Sequence, residues 1–229
     1  MSCSYVLRVW MPDRPGALGA LASRIGAVGG DVAGIDILER GAGRVIDELL
    51  IELPSDDPEL VELLVSEIHQ VDGVDVESIR PATEALRDAR LDALETAAML
   101  VGARSAEEAV IELCSHAVRT VGALWGAVVD LEAGALVAAE GEAPGAAWLC
   151  AFVAGSQSSA RMVGSDTGPA DVLWAPLPAA GHALVLGRQG KAFRARERRQ
   201  VAALARIVDA RFRDLKVIAC RTAHPSMGW

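Results

Sequence analysis

The chain has 229 residues, 52% of them hydrophobic, with 22 Lys and Arg against 31 Asp and Glu, a net charge of −9. That length suits one or two domains, each able to bury a core, and no apolar run reaches the roughly 18 residues of a membrane span. Residues 1–80 hold six Lys and Arg and fifteen Asp and Glu, so the whole excess sits in the first third, which disfavours nucleic acid as its partner.

Met1-Ser2-Cys3-Ser4 lacks the basic region and apolar core of a signal peptide. Tyr5, Val6, Leu7, Val9 and Trp10 then form an apolar run that stops at Met11-Pro12. Asp13-Arg14-Pro15-Gly16-Ala17-Leu18-Gly19 opens a helix-period segment with Leu18, Leu21, Ile25 and Val28, ended by Gly29-Gly30. Pro15 presets φ for a first turn, Gly16 allows close approach of a ligand or backbone, and the N–H groups at the helix start can hold a small carboxylate. Val32, Ile35 and Ile37 start a second strand, and Glu39 to Arg44 makes a glycine hairpin into Val45–Leu53. Asp47 and Glu48 interrupt that run, so one of its faces is expected to meet solvent. Pro54 to Pro58 leads into a helix with Leu60, Leu63, Leu64 and Ile68; after Asp72-Gly73, Val74, Val76 and Ile79 alternate as a last strand. The order βαββαβ predicts a ferredoxin-like α+β fold, a four-stranded antiparallel sheet with helices on one face. Its open edge predicts a homodimer.

Residues 82–104 read as a linking helix with Leu86, Leu91, Leu94, Ala98 and Val101 at apolar positions. Ser105-Ala106-Glu107-Glu108 reads as a capping box for a helix to Val121. Trp125–Leu131 and Ala135–Ala139 form a hairpin, Gly145–Gly155 a short helix with Trp148, Leu149 and Phe152 inward, and Gln157–Pro169 a loop. Val172–Leu177 and Ala183–Gly187 are two more strands. Val201, Leu204, Val208, Phe212 and Leu215 mark a long closing helix, and Arg221–Trp229 is a tail.

Two resemblances follow from these residues. Asp13-Arg14-Pro15-Gly16-Ala17-Leu18, with Gly29-Gly30-Asp31-Val32 and Ile35-Asp36-Ile37, makes residues 5–80 resemble an ACT domain. The resemblance implies a free amino acid bound by Met11, Asp13, Arg14, Pro15, Gly16, Ala17 and Leu18, facing Gly30, Asp31 and Val32 across a dimer seam. Backbone N–H groups would take the carboxylate and Asp13 or Asp31 the ammonium; the plainer reading is a strand-to-helix turn. Asp31 stands where ACT domains commonly carry asparagine, which favours a cationic ligand or none. Trp174-Ala175-Pro176-Leu177, Gly181–Gly187 and Lys191-Ala192-Phe193 before Glu197 make residues 83–217 resemble a GAF domain of α/β/α build. No cyclic-nucleotide or bilin motif accompanies them. The expected division is 1–81, a linking helix 82–104, 105–220 and a tail 221–229.

Arg188, Lys191, Arg194, Arg196, Arg198 and Arg199 form a basic cluster, read as a solvated helix start or as a contact for nucleic acid or an acidic partner. Cys3, Cys114, Cys150 and Cys220 and His69, His116, His182 and His224 show no metal spacing. No metal, cofactor or catalytic apparatus is expected. Scattered thiols suit a reducing cytoplasm. The expected protein is a cytoplasmic ligand sensor that signals to an unidentified downstream protein, with a ligand-free dimeric adaptor or a nucleic-acid-associated regulator as alternatives.

Overall fold

A computed structural model describes residues 3–82, 89–163 and 169–223. The chain divides into two units, Met1–Ala89 with Arg194–Arg196, and Arg90–Phe193 with Glu197–Trp229.

The first unit runs β1 (Cys3–Pro12), α1 (Ala17–Ala27), β2 (Asp31–Gly41), β3 (Arg44–Leu53), α2 (Pro58–Ile68) and β4 (Asp75–Pro81). Its strands form one antiparallel sheet in the order β2-β3-β1-β4. This is the ferredoxin-like arrangement. Alternation along β1 turns Tyr5, Leu7, Val9 and Met11 to one face, where they pack in one core with Leu49 and Ile51 of β3, Leu21 and Ile25 of α1, and Leu64 and Ile68 of α2. On the opposite face Arg8 donates to Glu48, its partner across the ladder, at 2.7 Å. Asp57 caps α2 by accepting from the N–H of Glu59, with Pro58 at the first helical position.

Two expected stripes are rotated. Ala17, Leu21 and Ile25 form the buried side of α1, and Leu18 is exposed. In α2, Leu64 and Ile68 are buried and Leu63 is exposed. In each case a spacing of four decides the buried face, and the residue one position off faces out.

The β2–β3 turn holds Ala42 at φ 51° and Gly43 at φ 73°. Both centres of such a turn need positive φ, which suits Asn-Gly better than Ala-Gly. Ala42→Asn is therefore expected to raise stability by about 0.5–1 kcal/mol, read from the urea midpoint at constant m-value.

The second unit runs α3 (Ala89–Gly102), α4 (Ala106–Val121), β5 (Trp125–Asp130), β6 (Ala135–Glu140), α5 (Ala146–Val163), β7 (Val172–Leu177), β8 (His182–Gly187) and α6 (Ala195–Ala223). Its antiparallel sheet has the order β6-β5-β8-β7. One face packs Val128, Leu184 and Leu186 against Leu100 of α3, Leu113 and Ala117 of α4, and Val201, Val208 and Phe212 of α6. The other packs Ala127, Val129, Ala183 and Val185 against Leu149 and Val153 of α5. Two apolar faces, each covered by helix, give three layers.

Three expectations change here. Residues 157–163, read as loop, continue α5, where Ala154 O accepts the Ser158 hydroxyl; residues 164–168 of the expected loop lie outside the described residues. Trp148 is not inward: it is 46% exposed and stacks on Phe152 at 5.4 Å. The stripe Leu91, Leu94, Ala98 and Val101 of α3 is exposed, with Leu94 at 70%, while Thr96 and Leu100 are buried. Leu86 and residues 224–229 of the tail lie outside the described residues. At the start of α4, Ser105 accepts from the N–H of Glu108 at 3.1 Å, but the Glu108 carboxylate accepts from Arg104 rather than from Ser105. Ser105→Ala is expected to cost about 1 kcal/mol, checked by the same unfolding measurement.

Candidate functional site

The loop between β1 and α1 is pinned from both sides. The N–H of Asp13 donates to Gly43 O at 2.9 Å, and the Arg14 guanidinium donates to Asp72 at 3.4 Å. Asp13 also faces Arg40 of β2 at 4.0 Å, both side chains exposed. Gly16 is the N-cap of α1 at φ 88°, and no side chain caps the helix. Nothing lies within 4 Å of the position a Gly16 Cβ would take. Close approach is thus not its reason; the left-handed backbone is.

The consequence for α1 is an open N-terminus. The Ala17 N–H returns to Arg14 O and the Ala20 N–H to Gly16 O, and among the described residues no acceptor takes the N–H groups of Leu18 and Gly19. No acidic residue stands in the first turn either. Aligned donors and the positive end of the helix dipole favour an anion there. Gly16→Ala is expected to destabilise the protein by about 1–2 kcal/mol, through the φ requirement alone, in thermal or urea unfolding.

Beneath this end of the unit lies Asp47. It pairs with Val9 on one side and Ile37 on the other, and directly opposed residues share a face, so its carboxylate is on the helix-covered side with Val9. The residue is 5% exposed, and its Oδ1 finds no hydrogen-bond partner. Burial pushes its carboxyl above the usual carboxylate range; Arg40 opposes that shift and Asp13 adds to it. One face of this strand was expected from the sequence to meet solvent; it is the face of Arg44, Glu48, Leu50 and Glu52, and Asp47 stands on the buried one. On β2 the same face is less covered, with Ile35 43% and Ile37 41% exposed.

The expected site residues fall in two groups. Met11 and Ala17 are core, and Asp13, Arg14, Pro15, Gly16 and Leu18 surround the open helix end. Gly30, Asp31 and Val32 sit past the far end of α1, about 16 Å away along an eleven-residue helix. Gly30 is confined there: a Cβ would stand 3.0 Å from Ile25 Cγ2 and Leu53 Cδ2. The Asp31 carboxylate accepts from the N–H of Val32 at 2.8 Å. One chain does not bring the two groups together. Asp47 and Arg40 were missed, although an aspartate in the parity of Val45, Leu49 and Ile51 was a usable signal.

Elsewhere, Arg188 of the basic cluster is buried against Glu197, which makes it part of the second unit's interior. His116 bonds Thr96 through Nδ1 at 3.1 Å, and burial and Arg119 lower its pKa. His182 lies 3.6 Å from Asp130. Cys114 and Cys150 form no disulfide, and burial pushes the Cys114 thiol up to about 12. Among the described residues no group of three His, Cys, Asp or Glu could hold a metal ion, and no helix is long and apolar enough to cross a membrane. A hollow of about 630 Å³ in the second unit is lined by Trp125, Glu142, Asp171 and Arg188 among others.

No model of a known protein family matches the chain, and no curated protein matches it. Solved structures similar to part of it include the ACT domain of the GTP pyrophosphokinase of Chlorobium tepidum, at 15% identity over 36% of this chain and 100% of that one, TM-score 0.28. The C-terminal domain of the MgtC protein of Mycobacterium tuberculosis is similar at 17% identity over 36% and 90%, TM-score 0.30. A protein of Galdieria sulphuraria is similar at 17% identity over 46% of this chain and 66% of that one, TM-score 0.31.

Proposed function

We propose that the protein is a ligand-responsive regulator whose first unit, ACT-like, binds a free amino acid at the open end of α1. The observation that carries this reading is the uncapped α1 N-terminus, with the Asp13 carboxylate and the Arg40 guanidinium in and beside the loop that leads into it. A site with donors for a carboxylate and acceptors for an ammonium suits a zwitterion. The acting form is a homodimer joined along the β2 edge, where Ile35 and Ile37 are exposed and a second copy brings Gly30, Asp31 and Val32 to the loop of its partner. The second unit, GAF-like, passes the change to a downstream protein, and the output is regulatory rather than catalytic. Ligand shifts the balance only by binding one dimer geometry more tightly than the other.

Thermal unfolding of the full chain against each of the twenty amino acids tests this. At about 100 times its dissociation constant the ligand should add roughly 2.7 kcal/mol. One amino acid standing out, with its shift lost in Gly16→Val and weakened in Asp31→Ala, is the expected result. A protein that sediments as a monomer at every concentration and gives a flat panel would sink the reading.

A further inference from the structure

We infer that a hollow between α4 and α6 in the second unit is a binding site for a small organic carboxylate with an apolar body. It belongs to a different unit from the α1 site and does not depend on it.

The hollow has a volume of about 400 Å³, within the range of small-molecule sites, and lies among the start of α4, the β7–β8 turn and the second half of α6. Hydrogen bonds hold its walls on two sides. The Arg211 guanidinium of α6 donates to Ala103 O at 2.9 and 2.7 Å, which fixes the helix against the stretch that leads into α4. On the other side Asp209 of α6 accepts from the Ala179 N–H at 2.6 Å, and the Lys216 ammonium donates to Ala179 O, which fixes the same helix against the β7–β8 turn. A cleft braced in this way loses little freedom when a ligand enters.

Its lining divides by chemistry. Phe212, Leu215 and Ile218 of α6, with Ala180 of the turn, supply an apolar wall; Phe212 is buried and Ile218 is 50% exposed. The charges are Arg104 and Lys216, and among the described residues no carboxylate lines the hollow. Two acids close by in sequence are already engaged. The Glu108 carboxylate accepts from the Arg104 backbone N–H at 2.6 Å, and Asp209 accepts from Ala179 and Arg213. Among the described residues no acceptor takes the Arg104 guanidinium, and Lys216 has given Ala179 O one of its three N–H bonds. Guanidinium and ammonium make their strongest hydrogen bonds to anions, and the wall gains by covering hydrocarbon. An inorganic anion would leave that wall wet, a plain hydrocarbon would leave both cations unused, and an amine would be repelled. A carboxylate on an apolar body satisfies both halves.

The probes are octanoate and phenylacetate, with octanamide and phenylacetamide as neutral counterparts and octylamine and phenethylamine as cationic ones, titrated by calorimetry into the full chain. Wild type is expected to bind each carboxylate at least about 10-fold more tightly than its amide, and to leave the amines unbound. Arg104→Gln together with Lys216→Gln should weaken the carboxylates by about 10–100-fold and abolish their preference over the amides. Ile218→Glu, which sets a negative charge on the wall, should weaken them too. All three positions are exposed, so these variants keep the fold. Equal binding of carboxylate and amide to wild type would remove the role of the cations and overturn the inference. Carboxylate binding that survives in both variants would belong elsewhere, the α1 end included, and would overturn it without touching the α1 reading. Failure of every probe at millimolar concentration would overturn it as well.

Discussion

Glu197→Ala is expected to destabilise the second unit by about 3–5 kcal/mol, the largest single effect foreseen for this chain. Glu197 is buried against Arg188, whose two terminal nitrogens donate to its two carboxylate oxygens at 2.9 and 2.8 Å. The same guanidinium donates to Val121 O at the end of α4, and to Lys191 O and Ala192 O in the loop before α6. All five of its N–H donors are used, and its plane sits 4.1 Å from the Phe193 ring. Without Glu197 the guanidinium keeps a full charge in the interior with only carbonyls to face it, which is why breaking such a pair costs more than the pair contributes. Arg188→Lys should also destabilise, because a point charge cannot make the forked contact. Replacing both, as Arg188→Met with Glu197→Leu, should recover much of the loss. Urea unfolding followed through Trp125, Trp148 and Trp174, all in the second unit, reads this. A change within 0.5 kcal/mol for Glu197→Ala would mean the pair is not buried as described.

Asp47→Asn is expected to act in the opposite direction, raising stability at neutral pH by about 1–3 kcal/mol, because the amide carries no charge into the buried position, although its polar atoms still need partners there. The pH dependence gives its signature. Burial raises the folded-state pKa of Asp47 above its unfolded value of 3.8, with Arg40 opposing and Asp13 reinforcing the shift. Above the folded pKa the buried charge is a penalty in full; as pH falls through that value the folded state takes up its proton first and the penalty shrinks; below the unfolded pKa it is gone. Wild type should therefore approach Asp47→Asn in stability as the solution is made acidic, and the gap should be widest near neutrality. Midpoints of both proteins across that range check it, and an Asp47→Asn protein that is less stable at neutral pH would defeat the argument.

The order of elements was readable because each carries its own local signature. Alternation in β1, the Asp57-Pro58 start of α2, Gly29-Gly30 at the end of α1 and Ser105 before α4 are decided by chemistry within a few residues. The loop Asp13–Leu18 was located by the same means, and the turn it makes needs the glycine it has. Local signals failed where a choice depended on distant residues. Which of Leu63 and Leu64 is buried depends on where α2 lands on the sheet. The serines of 157–159 stay helical because α5 buries Leu149 and Val153 on the second sheet, and tertiary packing of that face outweighs their taste for turns.

The same division runs through the site. Sequence alone determined a βαββαβ unit with an acidic balance and a glycine-opened helix start. Only the tertiary structure decided that Asp47 stands on the buried face between Val9 and Ile37, its Oδ1 without a donor among the described residues, and that Arg188 holds its charge inside the second unit. Charge in a sequence carries no mark of burial. The cost or use of a charged side chain is set by the dielectric and the partners that the rest of the chain folds around it.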